Sequence, residues 1–69
     1  MKLIASVNSR KVAGECIQIG QLPSGRYQVQ FAARMSFLGG QWRGFNVGYF
    51  DTEAEARAAA NAEWVKRDM

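Results

Sequence analysis

The clearest alternation of apolar and polar positions in the sequence runs from Arg26 to Met35. One face of an extended chain would carry Tyr27, Val29, Phe31, Ala33 and Met35, and the other would carry Arg26, Gln28, Gln30, Ala32 and Arg34. Strict period-two alternation over about ten residues is typical of a half-buried strand in an antiparallel sheet. We therefore predict a strand here, with its apolar face in the core and its Arg- and Gln-rich face open.

A helix is predicted to begin after Thr52, where another strand pattern ends. No Gly or Pro occurs from Glu53 to Arg67, and alanine dominates the segment, which favours a helix. Thr52 and Glu55 form a capping box, in which the Thr52 hydroxyl accepts from the Glu55 N–H and the Glu55 carboxylate accepts from the Thr52 N–H. Two stripes compete for the buried side of this helix, and periodicity does not choose between them. One stripe is Ala54, Ala58, Ala62, Val65 and Met69, and the other is Ala56, Ala59, Ala60 and Trp64.

Shorter patterns predict the other strands, at residues 12–21 and 43–50, with residues 2–7 as a candidate further strand. The residues expected to share a face are Leu3, Ala5 and Val7, then Ile17 and Ile19, then Phe45, Val47 and Tyr49. Residues 36–44 are predicted to form an apolar loop around two glycines. Because short connections require antiparallel pairing, the predicted fold is α+β, with one C-terminal helix packed on a three-stranded, or four-stranded, antiparallel sheet. Residues 1–69 are expected to form a single domain.

Charge is divided unevenly along the chain. Residues 1–50 hold six basic side chains and one acidic side chain, whereas residues 51–69 hold three basic and five acidic side chains. A basic sheet backed by a mildly acidic helix indicates a polyanion on the sheet side. The alternative is an ordinary solvated surface on a small domain.

Residue types that are absent narrow the function. The sequence has no histidine, and Cys16 is its one cysteine, which excludes an intramolecular disulfide, a thiolate–imidazole zinc site and a Ser/His or Cys/His catalytic pair. We expect a protein that is not an enzyme and needs no metal or cofactor. The single cysteine and the lack of a long apolar run favour a cytoplasmic protein without a membrane segment or secretory signal. Cys16 is expected to act as a small, partly buried apolar residue.

Two stretches resemble a known DNA-binding module. Gly25-Arg26-Tyr27-Gln28-Val29-Gln30-Phe31 and Gly48-Tyr49-Phe50-Asp51-Thr52-Glu53-Ala54-Glu55-Ala56-Arg57-Ala58-Ala59 resemble the APETALA/ethylene-response-factor domain and the related arm-binding N-terminal domain of tyrosine recombinases. The resemblance implies that the open face of the sheet enters the major groove of DNA. It implies base contacts on that face by Arg26, Gln28, Gln30 and Arg34, with Gln18 and Arg43 on the neighbouring strands. It also suggests a phage or mobile-element origin.

The chemistry of these residues fits the same interpretation. Arginine pairs with guanine and glutamine with adenine in the major groove, and Arg10, Lys11 and Arg43 are expected to hold phosphates. We therefore predict a small DNA-binding protein that acts on double-stranded DNA as a regulator or accessory factor. A homodimer is a further expectation, with the strand at residues 2–7 as its edge.

The apolar loop supports an alternative function. Phe37, Leu38 and Trp42 would anchor a phage-encoded inhibitor, similar to anti-CRISPR proteins, on a host protein. The competing interpretation of the same residues is that the loop folds over the open end of a small core.

Overall fold

The fold is a four-stranded antiparallel sheet with one helix packed on one side. The structure, a computed structural model, describes residues 1–35 and 39–69, with only the backbone of Met35. The elements are β1 (Lys2–Asn8), β2 (Glu15–Gln21), β3 (Tyr27–Met35), β4 (Gln41–Phe50) and α1 (Glu53–Lys66). The strands are ordered β1-β2-β3-β4 in the sheet, which confirms the α+β prediction and makes β1 the fourth strand.

β2 begins later than predicted, at Glu15 and not at residue 12. The Ser9 hydroxyl accepts from the backbone N–H groups of Lys11 and Val12, at 3.2 and 3.1 Å. Ser and Thr hydroxyls stabilise turns in this way. The start of the predicted strand is therefore part of the turn between β1 and β2.

β4 begins earlier than predicted, at Gln41 and not at Arg43. Gly39 and Gly40 have positive φ angles of 72° and 81°, which glycine adopts without steric strain. Gln41 pairs with Met35, so β4 is paired with β3 from its first residue. Trp42 therefore lies in a strand, and its assignment to a loop was wrong.

A bulge in β4 changes which of its residues share a face. Val29 lies opposite Gly48 and Gln30 lies opposite Asn46, so Val47 is an extra residue between them. An extra residue breaks the period-two alternation of a strand. Phe45 and Tyr49 therefore lie on opposite faces of the sheet, and the prediction that they share one was wrong.

A similar irregularity in β1 lies between Leu3 and Ala5. Ile4 and Ala5 both pack against the core, whereas Leu3 lies opposite Gly20 and is exposed on the other face. The prediction that Leu3 shares a face with Ala5 and Val7 was therefore wrong, again because period-two alternation does not pass through a bulge.

The core lies between the helix and the apolar face of the sheet. Its buried members are Ile17, Ile19, Val29, Phe31, Ala33, Ala56 and Met69. Those from β3 follow the predicted alternation. Full burial of a large apolar side chain contributes about 1.5–3 kcal/mol, so these few side chains supply much of the drive to fold.

α1 buries the stripe that contains Ala56, which has no exposed surface. Ala59, Ala60 and Trp64 pack beside it, whereas Val65 of the competing stripe is 68% exposed. The small residues let the helix lie close to the sheet. Packing against the sheet therefore determines which of the two stripes is buried, which periodicity did not predict.

Both ends of α1 are capped. The Thr52 hydroxyl accepts from the Glu55 N–H at 3.2 Å, as predicted, but the Glu55 carboxylate accepts from that hydroxyl at 2.9 Å and not from the Thr52 N–H. At the other end, Asp68 has a φ of 54°, and the Met69 N–H donates to the Trp64 carbonyl at 3.1 Å. This Schellman arrangement turns the Met69 side chain back into the core.

Candidate nucleic-acid interface

The open face, as we call the side of the sheet away from α1, presents side chains in rows that cross the strands. The row at the middle of the sheet consists of Ser6, Gln18, Gln30 and Asn46, each opposite the next on a neighbouring strand. The Gln28 Nε2 group donates to Asn46 Oδ1 at 3.3 Å, which joins a further amide to this row. We call the four amides Gln18, Gln28, Gln30 and Asn46 the amide cluster. Each amide offers both donors and an acceptor, which is the chemistry needed to pair with base edges.

The next row along the strands contains small residues. Cys16 lies opposite Ala32, and Ala32 lies opposite Gly44. Cys16 and Ala32 are buried, and the Gln30 carboxamide oxygen lies 3.1 Å from where a Cβ of Gly44 would be. This row therefore forms a shallow depression in the open face, beside the longer side chains of the neighbouring row. Cys16 is a free, buried cysteine, which agrees with its expected apolar role.

Two aromatic side chains stand on the open face along β4. Trp42 is 55% exposed and Tyr49 is 49% exposed. Three two-residue steps separate their rows, which at roughly 3.3 Å per residue places them about 20 Å apart. Sequence reasoning missed this pair. The alternation of Trp42, Gly44 and Asn46 could have found Trp42, but no local signal marks the bulge that moves Tyr49.

Arg34 is the basic residue of β3 on the open face, opposite Trp42. Its Nε–H donates to the Gly40 carbonyl at 2.9 Å, so the side chain supports the turn between β3 and β4. Its terminal NH₂ groups have no hydrogen-bond partner among residues 1–35 and 39–69, and Arg34 as a whole is exposed. Arg34 can therefore hold the turn and still donate to a ligand.

Arg26 precedes β3 at the edge of the open face. Its Nε atom lies 3.0 Å from an Asp51 carboxylate oxygen, and both side chains are exposed. This carboxylate compensates its charge. Arg26 is therefore less suited to an anionic ligand than the predicted strand pattern implied.

Arg43 is not on the open face. It lies opposite Ala33, on the side covered by α1, and its guanidinium is 5.7 Å from the centre of the Phe45 ring. The expectation that it joins Gln18 and Arg34 on one face was wrong. The reason is that β4 already includes Trp42, whose side chain is on the open face, so the next residue, Arg43, is on the opposite face.

Arg10 and Lys11 lie in the turn between β1 and β2, next to the end of α1. The Arg10 N–H donates to the Met69 carbonyl at 3.1 Å, and Lys11 Nζ is 2.6 Å from an Asp68 carboxylate oxygen. Both residues therefore stand at one end of the sheet, beside the open face and not on it.

The net side-chain charge differs between the two ends of the sheet, measured along the strand direction. One end, which we call the basic end, holds six basic residues and three acidic ones, and the opposite end holds three of each. The basic residues of the basic end are Arg10, Lys11, Arg34, Arg43, Lys66 and Arg67. Of these, Arg10, Arg34, Arg43 and Lys66 have no ion-pair partner in the described parts of the chain. The strands remain net basic and the helical segment net acidic, as expected from the sequence. The end-to-end division is additional, and it arises because α1 brings its basic last turn to the end of the sheet that holds Arg10.

Of the three residues predicted to bind a partner protein, the structure describes Trp42. Phe37 and Leu38 lie outside the described residues. Trp42 is more than half exposed on the open face, so it does not cover the end of the core. Its exposed side chain is available to contact either a nucleic acid or a partner protein.

An apolar cleft of about 290 Å³ lies on the other side of the sheet, between β1 and α1. Val7 and Ile17 line it from the sheet, and Ala60 and Trp64 line it from the helix. Among its lining residues, Arg57 and Asn61 carry a charged or amide side chain. The residues predicted to bind a ligand lie elsewhere, on the open face and at the basic end.

The described residues were also compared with the requirements for a metal site and a membrane-spanning helix. Within residues 1–35 and 39–69, no group of three acidic or cysteine side chains is placed to hold a metal ion. No helix in these residues is long and apolar enough to cross a membrane. Comparison of the chain with protein-family models, with curated proteins and with solved structures found no match.

Proposed function

We propose that the protein is a non-enzymatic DNA-binding protein, which contacts bases with the open face and phosphates with the basic end. The observation that carries this proposal is the amide cluster. Three of its members, Gln18, Gln28 and Gln30, were predicted to contact bases, and they lie together with Asn46 on one exposed surface. Glutamine and asparagine side chains pair with adenine through two hydrogen bonds.

The charge of the open face supports the same function. Among the described residues of β1 to β4, the one carboxylate is that of Glu15, which lies opposite Ala33 on the side covered by α1. The strand residues of the open face therefore carry a guanidinium, from Arg34, and no negative group that would repel phosphate. Such complementarity guides an anionic ligand to the surface.

The basic end supplies candidate phosphate contacts next to the bases. Arg10, Arg43 and Lys66 are exposed and free of ion pairs in the described part of the chain. Phosphate contacts position a protein on DNA and make its affinity depend on salt. Affinity for DNA is therefore expected to fall steeply as salt is raised.

The resemblance to the ethylene-response-factor type of domain is consistent with this proposal. In that family the sheet face opposite the helix contacts DNA, and here the amide cluster lies on the corresponding face. The relation itself remains a prediction.

Fluorescence anisotropy with labelled DNA of random sequence tests the proposal. We expect binding that weakens between about 50 mM and 200 mM salt, and a Gln18→Ala/Gln30→Ala variant that binds more weakly. Gln21→Ala is the matched control, because Gln21 lies opposite Tyr27 on the other side of the sheet. Absence of binding at low salt, or equal losses in both variants, would contradict the proposal.

The second candidate function is inhibition of a host protein, and the exposed indole of Trp42 favours it. Exposed tryptophans are common anchors of protein interfaces. This function predicts little affinity for DNA alone and capture of a protein partner that Trp42→Ala abolishes. Salt-sensitive DNA binding that requires the amide cluster would decide against it.

A further inference from the structure

The open face is wide compared with the groove of duplex DNA. β1 pairs with β2 from Lys2 to Asn8, so the face spans four strands. At about 4.8 Å between neighbours, the outer strands lie roughly 14 Å apart before side chains are counted. The major groove of B-DNA is about 12 Å wide and admits a helix or a two-stranded ribbon. A duplex would therefore leave part of this face outside its groove.

The exposed aromatic pair suits unpaired bases. The rings of Trp42 and Tyr49 stand on the same face of β4, with the amide cluster beside and between them. In a duplex the faces of the bases are occupied by their neighbours, whereas in a single strand they are free to stack on aromatic side chains. The spacing of about 20 Å corresponds to some six nucleotides at about 3.4 Å per stacked nucleotide.

We propose that the open face takes single-stranded DNA, with bases stacked on Trp42 and Tyr49 and hydrogen-bonded by the amide cluster between them. This inference rests on the DNA-binding function proposed above and specifies the form of DNA. The bases turn toward the sheet, and the phosphates face solvent and the basic end.

The modest charge of the surface agrees with this form of DNA. Arg34 is the one cation that the strands place on the open face in the described residues, and it lies beside Trp42. Stacking adds affinity to that of the phosphate contacts at the basic end, and loss of one stacking side chain lowers affinity about fivefold to 150-fold. A surface with two aromatic rings and one arginine therefore fits a single strand.

A comparison of matched DNA ligands tests the inference. Labelled oligothymidine of about 20 nucleotides, a mixed-sequence duplex of equal length and each separate strand of that duplex are titrated with the intact protein. We expect each single strand to bind at least about tenfold more tightly than the duplex. Trp42→Ala and Tyr49→Ala should each weaken binding of oligothymidine, whereas Phe45→Leu, on the covered side of β4, should not. Circular dichroism checks that each variant is folded.

Tryptophan fluorescence gives an independent readout of stacking. Trp42 and Trp64 are the two tryptophans, and Trp64 packs against the core. Oligothymidine should quench the emission of the native protein. A Trp42→Phe variant, which keeps a ring for binding, should bind without quenching the remaining tryptophan.

The possible failures are distinguishable. Equal or tighter binding of the duplex overturns the assignment to a single strand and leaves DNA binding in place. No binding of any DNA overturns both proposals. Tighter binding of oligouridine than of oligothymidine overturns the assignment to DNA, and quenching that persists in Trp42→Phe overturns the stacking geometry.

Discussion

Arg34 and Trp42 lie directly opposite each other on neighbouring strands of the open face. The pair joins a guanidinium whose terminal NH₂ groups have no partner in the described part of the chain to an indole that is more than half exposed. The two side chains differ in how they are held, because Arg34 also donates to the Gly40 carbonyl. Arg34 is therefore expected to serve both the turn and the ligand, and Trp42 the ligand alone.

The double role of Arg34 is separable by substitution. Arg34→Lys keeps the charge but loses the Nε–H bond to Gly40, so it should lower the free energy of unfolding by about 1 kcal/mol and keep the salt dependence of DNA binding. Arg34→Gln should also reduce the slope of affinity against salt by about one unit. Urea unfolding and anisotropy titrations at several salt concentrations measure the two effects. Identical salt slopes for native protein and Arg34→Gln would contradict a phosphate contact.

The basic end is expected to dominate the salt dependence. A triple variant with glutamine at Arg10, Arg43 and Lys66 should lose about 0.7–0.9 of a unit of slope for each phosphate contact removed. The matched control replaces Lys2, Arg26 and Arg57, which changes the net charge equally at the opposite end. Equal effects of the two triple variants would indicate that net charge alone, and not its location, governs binding.

The buried stripe of α1 predicts that the same substitution has a large effect on stability at Ala56 and a small effect at Ala58. Ala56 is fully buried, so Ala56→Leu should overpack the contact with the sheet and lower the free energy of unfolding by about 1–3 kcal/mol. Ala58 is exposed, and Ala58→Leu should change it by less than about 0.5 kcal/mol. Urea unfolding of both variants measures the two free energies. A larger loss in Ala58→Leu than in Ala56→Leu would show that the stripe containing Ala58 is the one packed on the sheet.

The N-terminal cap of α1 gives a further stability prediction. Thr52→Ala removes the hydroxyl that accepts from the Glu55 N–H and should lower the free energy of unfolding by about 1 kcal/mol. Thr52→Ser keeps a hydroxyl and should retain most of the stability. Thermal unfolding followed by circular dichroism compares the three proteins. Equal losses in the Ala and Ser variants would show that the methyl group, and not the cap, matters.

The sequence by itself determined the features that depend on neighbouring residues. The period-two pattern of β3 assigned Val29, Phe31 and Ala33 to the core, because successive side chains of a strand point to opposite faces. The Thr52 cap and the run without Gly or Pro located α1 for an equally local reason. Gln28 and Gln30, two members of the amide cluster, followed from the same alternation.

Only the tertiary structure decided the features that depend on pairing between distant segments. The bulge at Val47 moved Tyr49 to the open face, and the early start of β4 placed Trp42 there and Arg43 on the other side. Packing on the sheet chose the Ala56 stripe and carried the last turn of α1 to the turn between β1 and β2. Register and helix orientation are set by contacts across the whole fold, and no periodicity within one segment records them.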